Sequence, residues 1–574
     1  MTTSIVDAES VLVLDIGSVQ TRSLLFDTVD GQYRFIAAGV APSTPGAPYF
    51  DVGEGVHQSL LKLQSITART FLNRDSQLML PANPDGSGVD QLMVIFSAGP
   101  ELQFVTMGLL EDVSLESATH LAQTTFGRIV EEIGLNDRRR PEAQIDAILA
   151  TRPDLIIFAG GTDKGATRSI GKLVELILFY LQCLPEDSRP EILYAGNSAL
   201  ANRIKEILTR LTRLHPAPNI RPGIDQEDLG PAADVLAQVV GKIRTRQIGG
   251  LESLGKAASV PPIPTSHGLG RMIAFLSKVY DRRKGVLGVD LGSSHTTVAA
   301  GISGELSLNT FPIGSGAGAP EILKDAPVED VVRWLPVHIP DDVVLDYLHQ
   351  KSLYPAMVPV TAETLAIEQA IARQALFTAM NRMLKIHPDL VMGFEPILVS
   401  GTTLTQYSTP GQSLLALLDG LQPMGVTTLL LDTNGLLPAL GAIAPQIAEL
   451  PVQVLESSAF VNLGTAICVS SDARFGTPLM NVKLDYGGNQ TQLEIRQGTI
   501  TSLPVRPGQT MNVHISPLRR LSIDPTHRDR SRSFKIVGGV CGAVIDARSR
   551  PLGLPKDAAR RRDLLKKWAL AVNA

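Results

Sequence analysis

The chain has 574 residues, of which 44% are hydrophobic and 19% are charged, and its formal net charge is −5. This length is too great for one hydrophobic core, so we expect two to four domains. The composition excludes a disordered chain, and the slightly acidic balance gives no reason to expect a nucleic-acid partner.

The first informative stretch covers residues 11–27, VLVLDIGSVQTRSLLFD. It predicts an apolar strand, a tight turn at Asp15 and Gly17, and a second apolar strand. Ser18 and Thr21 add hydroxyl groups to backbone N–H donors around the turn. Such donors suit a polyphosphate, and a carboxylate can hold Mg²⁺ directly or through water. For a single copy, an ordinary hairpin with a Gly/Ser-rich turn explains the pattern equally well.

Further elements of the first half follow from periodicity and from turn residues. We predict strands at 32–40 and 92–97, and helices at 53–71, 116–133, 143–150, 173–184, 198–211 and 225–246. A buried strand at 155–159 ends in Gly160 and Gly161 and leads through Asp163 into a helix. The first N–H groups of a helix can seat an anion or nucleotide there, although a plain strand-to-helix loop also fits. Residues 192–197 repeat this pattern, and residues 253–266 are typical of a linker.

The second half opens on a near-copy of the first hairpin, VLGVDLGSSHTTVAAGI at residues 286–302. Asp290 and Gly292 occupy the places of Asp15 and Gly17. The small hydroxyl residues here are Ser293, Ser294, Thr296 and Thr297. Two copies with the same offsets, each opening one half of the chain, favour a functional turn over an ordinary one.

The second half then repeats the order of the first. We predict a third strand at 306–313, a long helix at 361–384, a strand at 397–400 that leads into Gly401 and Thr402, and a strand at 428–431. Each half is therefore predicted to be a three-stranded meander followed by strands that alternate with helices. That arrangement is a mixed α/β sheet with helices on its faces, repeated once.

The last hundred residues differ from both halves. Alternating apolar and polar residues predict a small β-barrel or sandwich, closed by a helix at 556–572. Basic residues there could meet an acidic partner or anionic lipid, although a solvated surface explains them as well. They are Arg519, Arg520, His527, Arg528, Arg530, Arg532, Arg560, Arg561, Arg562, Lys566 and Lys567. The predicted domains are 1–250, a linker at 251–283, 284–468 and 469–574.

The order of elements resembles the superfamily of actin, sugar kinases and heat-shock-chaperone ATPases. Within it, the chain resembles the MutL-like family that accompanies adenosylcobalamin-dependent glutamate mutase. The segments that carry the resemblance are DIGSVQTR at 15–22, AGGTDKG at 159–165, YAGN at 194–197 and DLGSSHTT at 290–297. The chain departs from the family pattern at Arg22, usually Lys, at Lys164 and Gly165 after Asp163, at Ser293 and Ser294, and at Val298. These departures bear on hydrolysis more than on nucleotide binding.

The resemblance implies two ribonuclease-H-like halves around a nucleotide cleft. ATP and Mg²⁺ are the implied cofactors, with Asp15 and Asp290 organising the metal and Asp163 orienting a water. Residues 160–165 and 435–441 would be connecting segments, and Gly401 with Thr402 would contact the adenosine. The implied function is a slow Mg-ATPase that reactivates a cobalamin-dependent mutase. The alternatives are a non-catalytic assembly protein of the same fold and, with less support, a metabolite kinase.

Cellular context is predicted from residues that the chain lacks. Its three cysteines, Cys183, Cys468 and Cys541, are far apart and form no C-x-x-C pair. We therefore expect neither a disulfide framework nor a zinc site, and a reducing compartment. The first ten residues lack the basic and apolar regions of a signal peptide, and the apolar stretch at 173–184 is too short to span a bilayer. A cytoplasmic protein is expected, and the sequence leaves its oligomeric state open.

Overall fold

A computed structural model describes residues 10–163, 165, 167–280, 284–390, 393–486, 489–523 and 532–574. The chain divides into two compact units. The first comprises Met1–Gly31 and Phe35–Gly268, and the second comprises Gln32–Arg34 and Leu269–Ala574. Parts of three predicted features lie outside the described residues, namely Lys164, residues 281–283 of the predicted linker, and the basic residues His527, Arg528 and Arg530.

The first unit combines two sheets with their covering helices. Its elements in chain order are β1 (Val11–Ile16), β2 (Gln20–Val29), β3 (Gln32–Pro42), α1 (Gly53–Thr67), β4 (Gln91–Phe96), β5 (Gln103–Gly108), α2 (Glu116–Ala122), β6 (Arg128–Gly134), α3 (Pro141–Thr151), β7 (Leu155–Phe158), α4 (Arg168–Gln182), β8 (Glu191–Tyr194), α5 (Ala201–Leu208), β9 (Leu214–Pro216), α6 (Gly230–Gln247), α7 (Leu251–Ala257) and β10 (Ile263–Pro264). Helix α8 (Thr265–Val279) crosses the boundary between the units.

The first sheet has the strand order β10-β4-β1-β2-β3. Strand β1 is antiparallel to β2 and parallel to β4, and β4 is parallel to β10. All six residues of β1 are buried, because the strand lies in the centre of the sheet. The predicted meander and following parallel strand are confirmed. The stretch interpreted as a linker instead supplies helix α7 and the short edge strand β10, which Pro264 ends.

A second sheet lies between β4 and β10 in the sequence, with the order β6-β5-β7-β8-β9 and every pair parallel. Helices α3, α4 and α5 cover one face, and α2 and α6 pack on the other. The prediction of one helix at 116–133 is wrong beyond α2. Helix α2 ends at Ala122, and the residues after Gly127 pair with β5 as strand β6. Gly127 itself leaves no room for a side chain, since a Cβ there would lie 2.4 Å from the Phe104 ring. Strand β5 itself was not predicted.

Residues 173–182 of the stretch at 173–184 belong to α4, a helix that covers the inserted sheet. Most apolar residues of α4, including Ile170, Leu173 and Ile177, are buried on one side of the helix, whereas Phe179 is exposed. Among the residues that the structure describes, no helix is long and apolar enough to cross a membrane.

The second unit repeats the meander and then adds a strand-rich region. After α8 its elements are β11 (Val286–Leu291), β12 (Thr296–Ile302), β13 (Glu305–Phe311), α9 (Glu329–Val332), α10 (Asp341–Leu353), α11 (Ala362–Ile386), β14 (Ile397–Ser400), α12 (Thr402–Thr405), α13 (Pro410–Gly420), β15 (Gly425–Asp432), α14 (Leu436–Ile443), α15 (Glu449–Leu455), β16 (Val461–Cys468), β17 (Pro478–Tyr486), β18 (Asn489–Arg496), β19 (Ile500–Leu503), β20 (Thr510–Pro517), β21 (Arg532–Val537), β22 (Ala543–Asp546) and α16 (Ala558–Ala571).

The main sheet of this unit has the order β13-β12-β11-β14-β15-β16-β22-β19. Its first five strands repeat the order of the first sheet, with β11, β14 and β15 parallel and β12 and β13 antiparallel to their neighbours. The C-terminal region is strand-rich and ends in a helix, as predicted. Its strands divide, however: β17, β18, β20 and β21 form a separate antiparallel sheet, whereas β19 and β22 extend the main sheet.

Buried charges attach the C-terminal region to helix α13. Arg548 contacts Asp419 at 2.7 Å and Asp546 at 2.9 Å, and all three side chains are fully buried. Its guanidinium also lies 4.7 Å from the ring of Trp568 in α16, and the indole donates to the carbonyl of Gly498. Because each charge has an opposite partner, the cluster can remain buried.

Candidate functional site

The first turn is closed by a hydrogen bond from the Gly17 N–H to the Gln20 carbonyl, at 3.0 Å. A Cβ on Gly17 would lie 2.8 Å from that carbonyl oxygen, so the turn requires glycine for close approach and not for a positive φ. Asp15 lies opposite Arg22 across the hairpin, and Arg22 Nη1 is 3.3 Å from Asp15 Oδ2. Ser18 is exposed at the tip of the turn.

The second turn closes in the same way, with the Gly292 N–H donating to the His295 carbonyl at 2.9 Å. A Cβ on Gly292 would lie 2.9 Å from that oxygen. The carboxylate of Asp290 accepts a 2.6 Å hydrogen bond from Ser400 Oγ, at the end of the neighbouring strand β14. The two predicted turns are thus matching structures, and each carries its aspartate at the end of a central strand.

Asp290 begins a row of polar residues at the carboxyl ends of three parallel strands. In the register of the sheet, Asp290 lies beside Ser400, and Ser400 lies beside Asp432 at the end of β15. Asp432 is buried and accepts from the N–H groups of Asn434 and Leu437, which orients the start of α14. Ser400 and Asp432 were not among the predicted site residues. The signal available was that the strands at 397–400 and 428–431 each end directly before a helix.

A glycine-rich loop, residues 314–318, encloses the second turn. The N–H groups of Gly316 and Gly318 donate to the Ser293 carbonyl, and that of Ala317 donates to Ser293 Oγ. Cβ atoms on Gly314 and Gly318 would lie 2.2 and 2.1 Å from the carbonyl oxygens of Ser293 and Ser294. The loop therefore lies against the turn with no room for a side chain.

The predicted threonine ligands of phosphate are buried and bonded within their own units. Thr21 Oγ1 is 2.7 Å from Ser43 Oγ, and Thr296 donates to the Ile313 carbonyl at 2.7 Å. Thr297 is near Thr310, with 3.3 Å between the hydroxyl oxygens. These bonds hold the third strand of each meander against its turn, and a role of these threonines in phosphate binding stays a prediction.

Residues 160–165 follow β7, so they belong to the inserted sheet and not to the sheet of Asp15. A role of these residues as a connecting segment between the two halves stays a prediction. Gly160 and Gly161 both have positive φ. Asp163 accepts from Asn219 Nδ2 at 2.9 Å and from the Ser198 N–H at 3.2 Å. These bonds hold the pKa of Asp163 below its usual value and join three loops.

Gly401 and Thr402 form the start of the short helix α12, directly after β14. Gly401 has a φ of 130°, and a Cβ there would lie 2.4 Å from the Leu291 carbonyl oxygen. Gly401 and Thr402, the predicted adenosine contact, therefore lie beside strand β11, which carries Asp290.

The oxygen atoms at the turns fit Mg²⁺, which prefers carboxylate and water ligands and often binds through one or two carboxylates with phosphate. The side chain of Asp290 is half-buried and already oriented by Ser400, as a ligand carboxylate usually is. Among the residues that the structure describes, no group of three or more His, Cys, Asp or Glu side chains could hold a metal by itself.

A meander of three strands followed by parallel strands occurs twice, each time with an Asp-x-Gly-Ser turn in its first hairpin. This arrangement defines the actin-like ATPase fold, with two ribonuclease-H-like halves, and confirms the predicted fold class. Residues 11–459, more than three quarters of the chain, match the family model of the MutL protein. The chain belongs to the MutL family.

Comparison with solved structures gives remote likenesses. Nucleotide-free acetone carboxylase is 13% identical, with 85% of this chain and 81% of that chain covered and a TM-score of 0.31. The diol dehydratase-reactivating factor in nucleotide-free form is 9% identical, with 78% and 99% covered and a TM-score of 0.30. Gluconate kinase from Lactobacillus acidophilus is 10% identical, with 79% and 93% covered and a TM-score of 0.30. No curated protein matches the sequence significantly.

Proposed function

We propose that this chain is a Mg-ATP-binding protein and a slow ATPase that serves as an accessory factor to another enzyme. The observation that carries the proposal is the matched pair of turns. Each is closed by one glycine N–H bond, 3.0 Å long at Gly17 and 2.9 Å at Gly292, and each carries an aspartate at the end of its strand. Membership of the MutL family supports it.

In this proposal the two aspartates hold Mg²⁺, directly or through water, and the hydroxyls of Ser18, Ser293 and Ser294 donate to phosphate oxygens. Bound Mg²⁺ would neutralise charge on the phosphates, which is the main requirement of phosphoryl transfer. Ser400 would keep the carboxylate of Asp290 in one orientation.

We further propose that the client is a cobalamin-dependent, mutase-type enzyme whose damaged cofactor is exchanged. The support is the family resemblance of the segments at 15–22, 159–165, 194–197 and 290–297. A cytoplasmic location fits such a role. Nucleotide-dependent movement would be the signal passed to the client.

Calorimetric titration of ATP, with and without Mg²⁺, tests the proposal on the wild type and on Asp290→Ala. We expect Mg²⁺-dependent binding and slow phosphate release in the wild type, and a loss of affinity of about tenfold or more in the variant. Binding without turnover would favour the non-catalytic assembly protein. Turnover stimulated by a sugar would favour the metabolite kinase, and failure of the wild type to bind ATP would refute the proposal.

A further inference from the structure

The first unit contains a buried cation that the two turns do not explain, Arg244 in helix α6. The residue is 2% exposed. Among the residues that the structure describes, its guanidinium makes one hydrogen bond, from Nη1 to Gln247 Oε1 at 3.1 Å, and its buried Nε has no partner. A guanidinium has five N–H donors, so this one is incompletely bonded. Because burying such a group is costly, its presence indicates a role other than fold stability.

Arg244 lies against the loop at residues 97–102, which follows β4. A Cβ on Gly99 would lie 2.8 Å from Arg244 Nη1 and 3.1 Å from Arg244 Cζ, and Gly99 has a φ of 114°. Both the available space and the backbone conformation therefore require glycine at this position. The guanidinium consequently contacts the backbone of the loop, with no side chain between them.

The same loop lies beside the first turn. The N–H of Ser97 donates to the Ile16 carbonyl at 2.9 Å, and a Cβ on Gly17 would lie 3.9 Å from Ser97 Oγ. Ser97 and Gly99 are two peptide units apart, so the guanidinium is on the order of 10 to 15 Å from the turn. The loop thus has the first turn on one side and a buried cation on the other.

The guanidinium is held in place by groups of the inserted sheet. Gln247, which accepts from Arg244, donates through Nε2 to Asp154 Oδ1 at 2.8 Å, and Asp154 Oδ2 accepts from the Gln103 N–H at 2.8 Å. Burial lowers the pKa of Arg244 to about 10, and the charge of Asp154 opposes this shift. Arg244 is therefore charged at pH 7, and its charge has a fixed position.

A fixed, buried cation behind the loop favours an anion at the turn. Salt screens buried charges much less than exposed ones, so such a charge acts over about 10 Å. A charge that is already oriented stabilises an anionic ligand without reorganisation of the protein. The triphosphate proposed for the first turn is an anion of this kind. A long apolar side chain would suit the fold at least as well, because replacing buried charges by hydrophobic groups is often neutral or stabilising.

We propose that Arg244 is a positioning residue of the first turn, and that its buried charge attracts the phosphates of the nucleotide through the loop at residues 97–102. The proposal rests on the proposed function for the nucleotide itself, and it adds a residue that belongs to neither turn. The alternative is that Arg244 only fastens α6 to the inserted sheet through Gln247 and Asp154. That role predicts a loss of stability without a change in nucleotide affinity.

The test compares the affinities of the full chain for Mg-ATP and for adenosine, a neutral ligand with the same base and sugar, by calorimetry and competition. Arg244→Met removes the charge and keeps the length of the side chain. It should weaken Mg-ATP binding about fivefold or more, change adenosine binding less than about twofold, and leave the Tm unchanged or raised. Arg244→Lys keeps the charge and should retain most of the Mg-ATP affinity. Lys242→Met is the matched control, because exposed Lys242 carries the same charge on the same helix, and it should have less than about a twofold effect.

Gln247→Glu is a second test that leaves the guanidinium in the protein. It places a carboxylate within hydrogen-bond distance of Arg244 Nη1 and so partly neutralises the buried charge. Mg-ATP binding should weaken about threefold, with adenosine binding unchanged. This variant decides the outcome if Arg244→Met does not fold.

Unchanged Mg-ATP affinity in Arg244→Met or in Gln247→Glu would overturn the proposal. An equal loss of Mg-ATP and adenosine affinity would also overturn it, as would a lowered Tm with wild-type affinity, because both results indicate a purely structural role. Failure of the wild type to bind Mg-ATP would instead refute the proposed function, and this inference with it. Normal binding by the wild type with unaffected variants refutes only the role of Arg244.

Discussion

The turns at Gly17 and Gly292 close with the same hydrogen bond but are supported differently. In the first turn, Arg22 on the same hairpin contacts Asp15. The hydroxyl of Ser43, in the loop after β3, contacts the hydroxyl of Thr21. In the second, backbone groups of residues 314–318 enclose the turn. Side-chain contacts can adjust to a substitution, whereas backbone contacts at van der Waals distance cannot. The second turn should therefore be the less tolerant of the two.

The largest expected effect comes from Gly318→Ala, which places a Cβ 2.1 Å from the Ser294 carbonyl oxygen and 2.6 Å from the Gly314 nitrogen. Because both atoms are backbone, the loop must move, and we expect a cost of about 3 kcal/mol. Hydrogen exchange of β11 to β13, read by mass spectrometry, should show lost protection in that hairpin.

In the matching loop of the first unit, a Cβ on Gly46 meets nothing within 4 Å. Gly46→Ala should be neutral, and equal effects would break the comparison.

Acid should also distinguish the two units. In the first, burial opposes ionisation of Glu191, but the hydrogen bond to His215 and the charge of Arg246 lower its pKa from 4.5 to about 2. In the second, burial opposes ionisation of Asp546, and Arg548 holds its pKa well below the usual range. A lowered pKa stabilises the folded state above the unfolded value and loses this effect as pH falls through the folded value.

Between pH 4.5 and about 2, the first unit should therefore lose about 3 kcal/mol from Glu191, since one pKa unit corresponds to about 1.4 kcal/mol. The contribution of Asp546 should persist to lower pH. Hydrogen exchange during acid titration should show β7 and β8 losing protection before β16 and β22. Glu191→Gln should flatten this dependence in the first unit, and simultaneous loss in both units would contradict the prediction.

Gly17→Ala and Gly292→Ala test the shared feature. Each Cβ would meet a single carbonyl oxygen, at 2.8 and 2.9 Å respectively, with other atoms at 3.9 Å or more. We expect each variant to lose about 2 kcal/mol, measured as a local increase in hydrogen exchange, and the two values to agree within about 0.5 kcal/mol. Gly171→Ala, where a Cβ meets nothing within 4 Å, serves as control. A large difference would mean that the turns are less alike than their hydrogen bonds indicate.

The shared turn could be predicted because its elements are local: an aspartate, a glycine and small hydroxyl residues within seven positions. Features that depend on pairing between residues far apart in the sequence could not be predicted. Ser400 donates to Asp290 across 110 residues, and nothing near either residue indicates the other. Strand β7 was predicted as a strand, but its place in the inserted sheet follows from pairing with β5 and β8. Residues 128–134 have charges at helical spacing and still form an edge strand, because pairing with β5 outweighs local preference.

The smallest expected effect concerns the support of the second aspartate. Ser400→Ala removes the 2.6 Å hydrogen bond to Asp290 Oδ1 without adding atoms to the buried strand end. Hydrogen bonds to charged groups contribute about 1.5 to 3 kcal/mol, and part of this returns when water or Mg²⁺ takes the vacated position. We therefore expect Mg-ATP affinity to fall about tenfold in calorimetry, with thermal stability nearly unchanged. Ser43→Ala is the matched control in the first unit, because Ser43 contacts Thr21 and not a carboxylate. The opposite result, in which Ser43→Ala weakens Mg-ATP binding and Ser400→Ala does not, would contradict the prediction. It would mean that Ser400 does not orient Asp290 for the metal and that the first turn alone binds the cation.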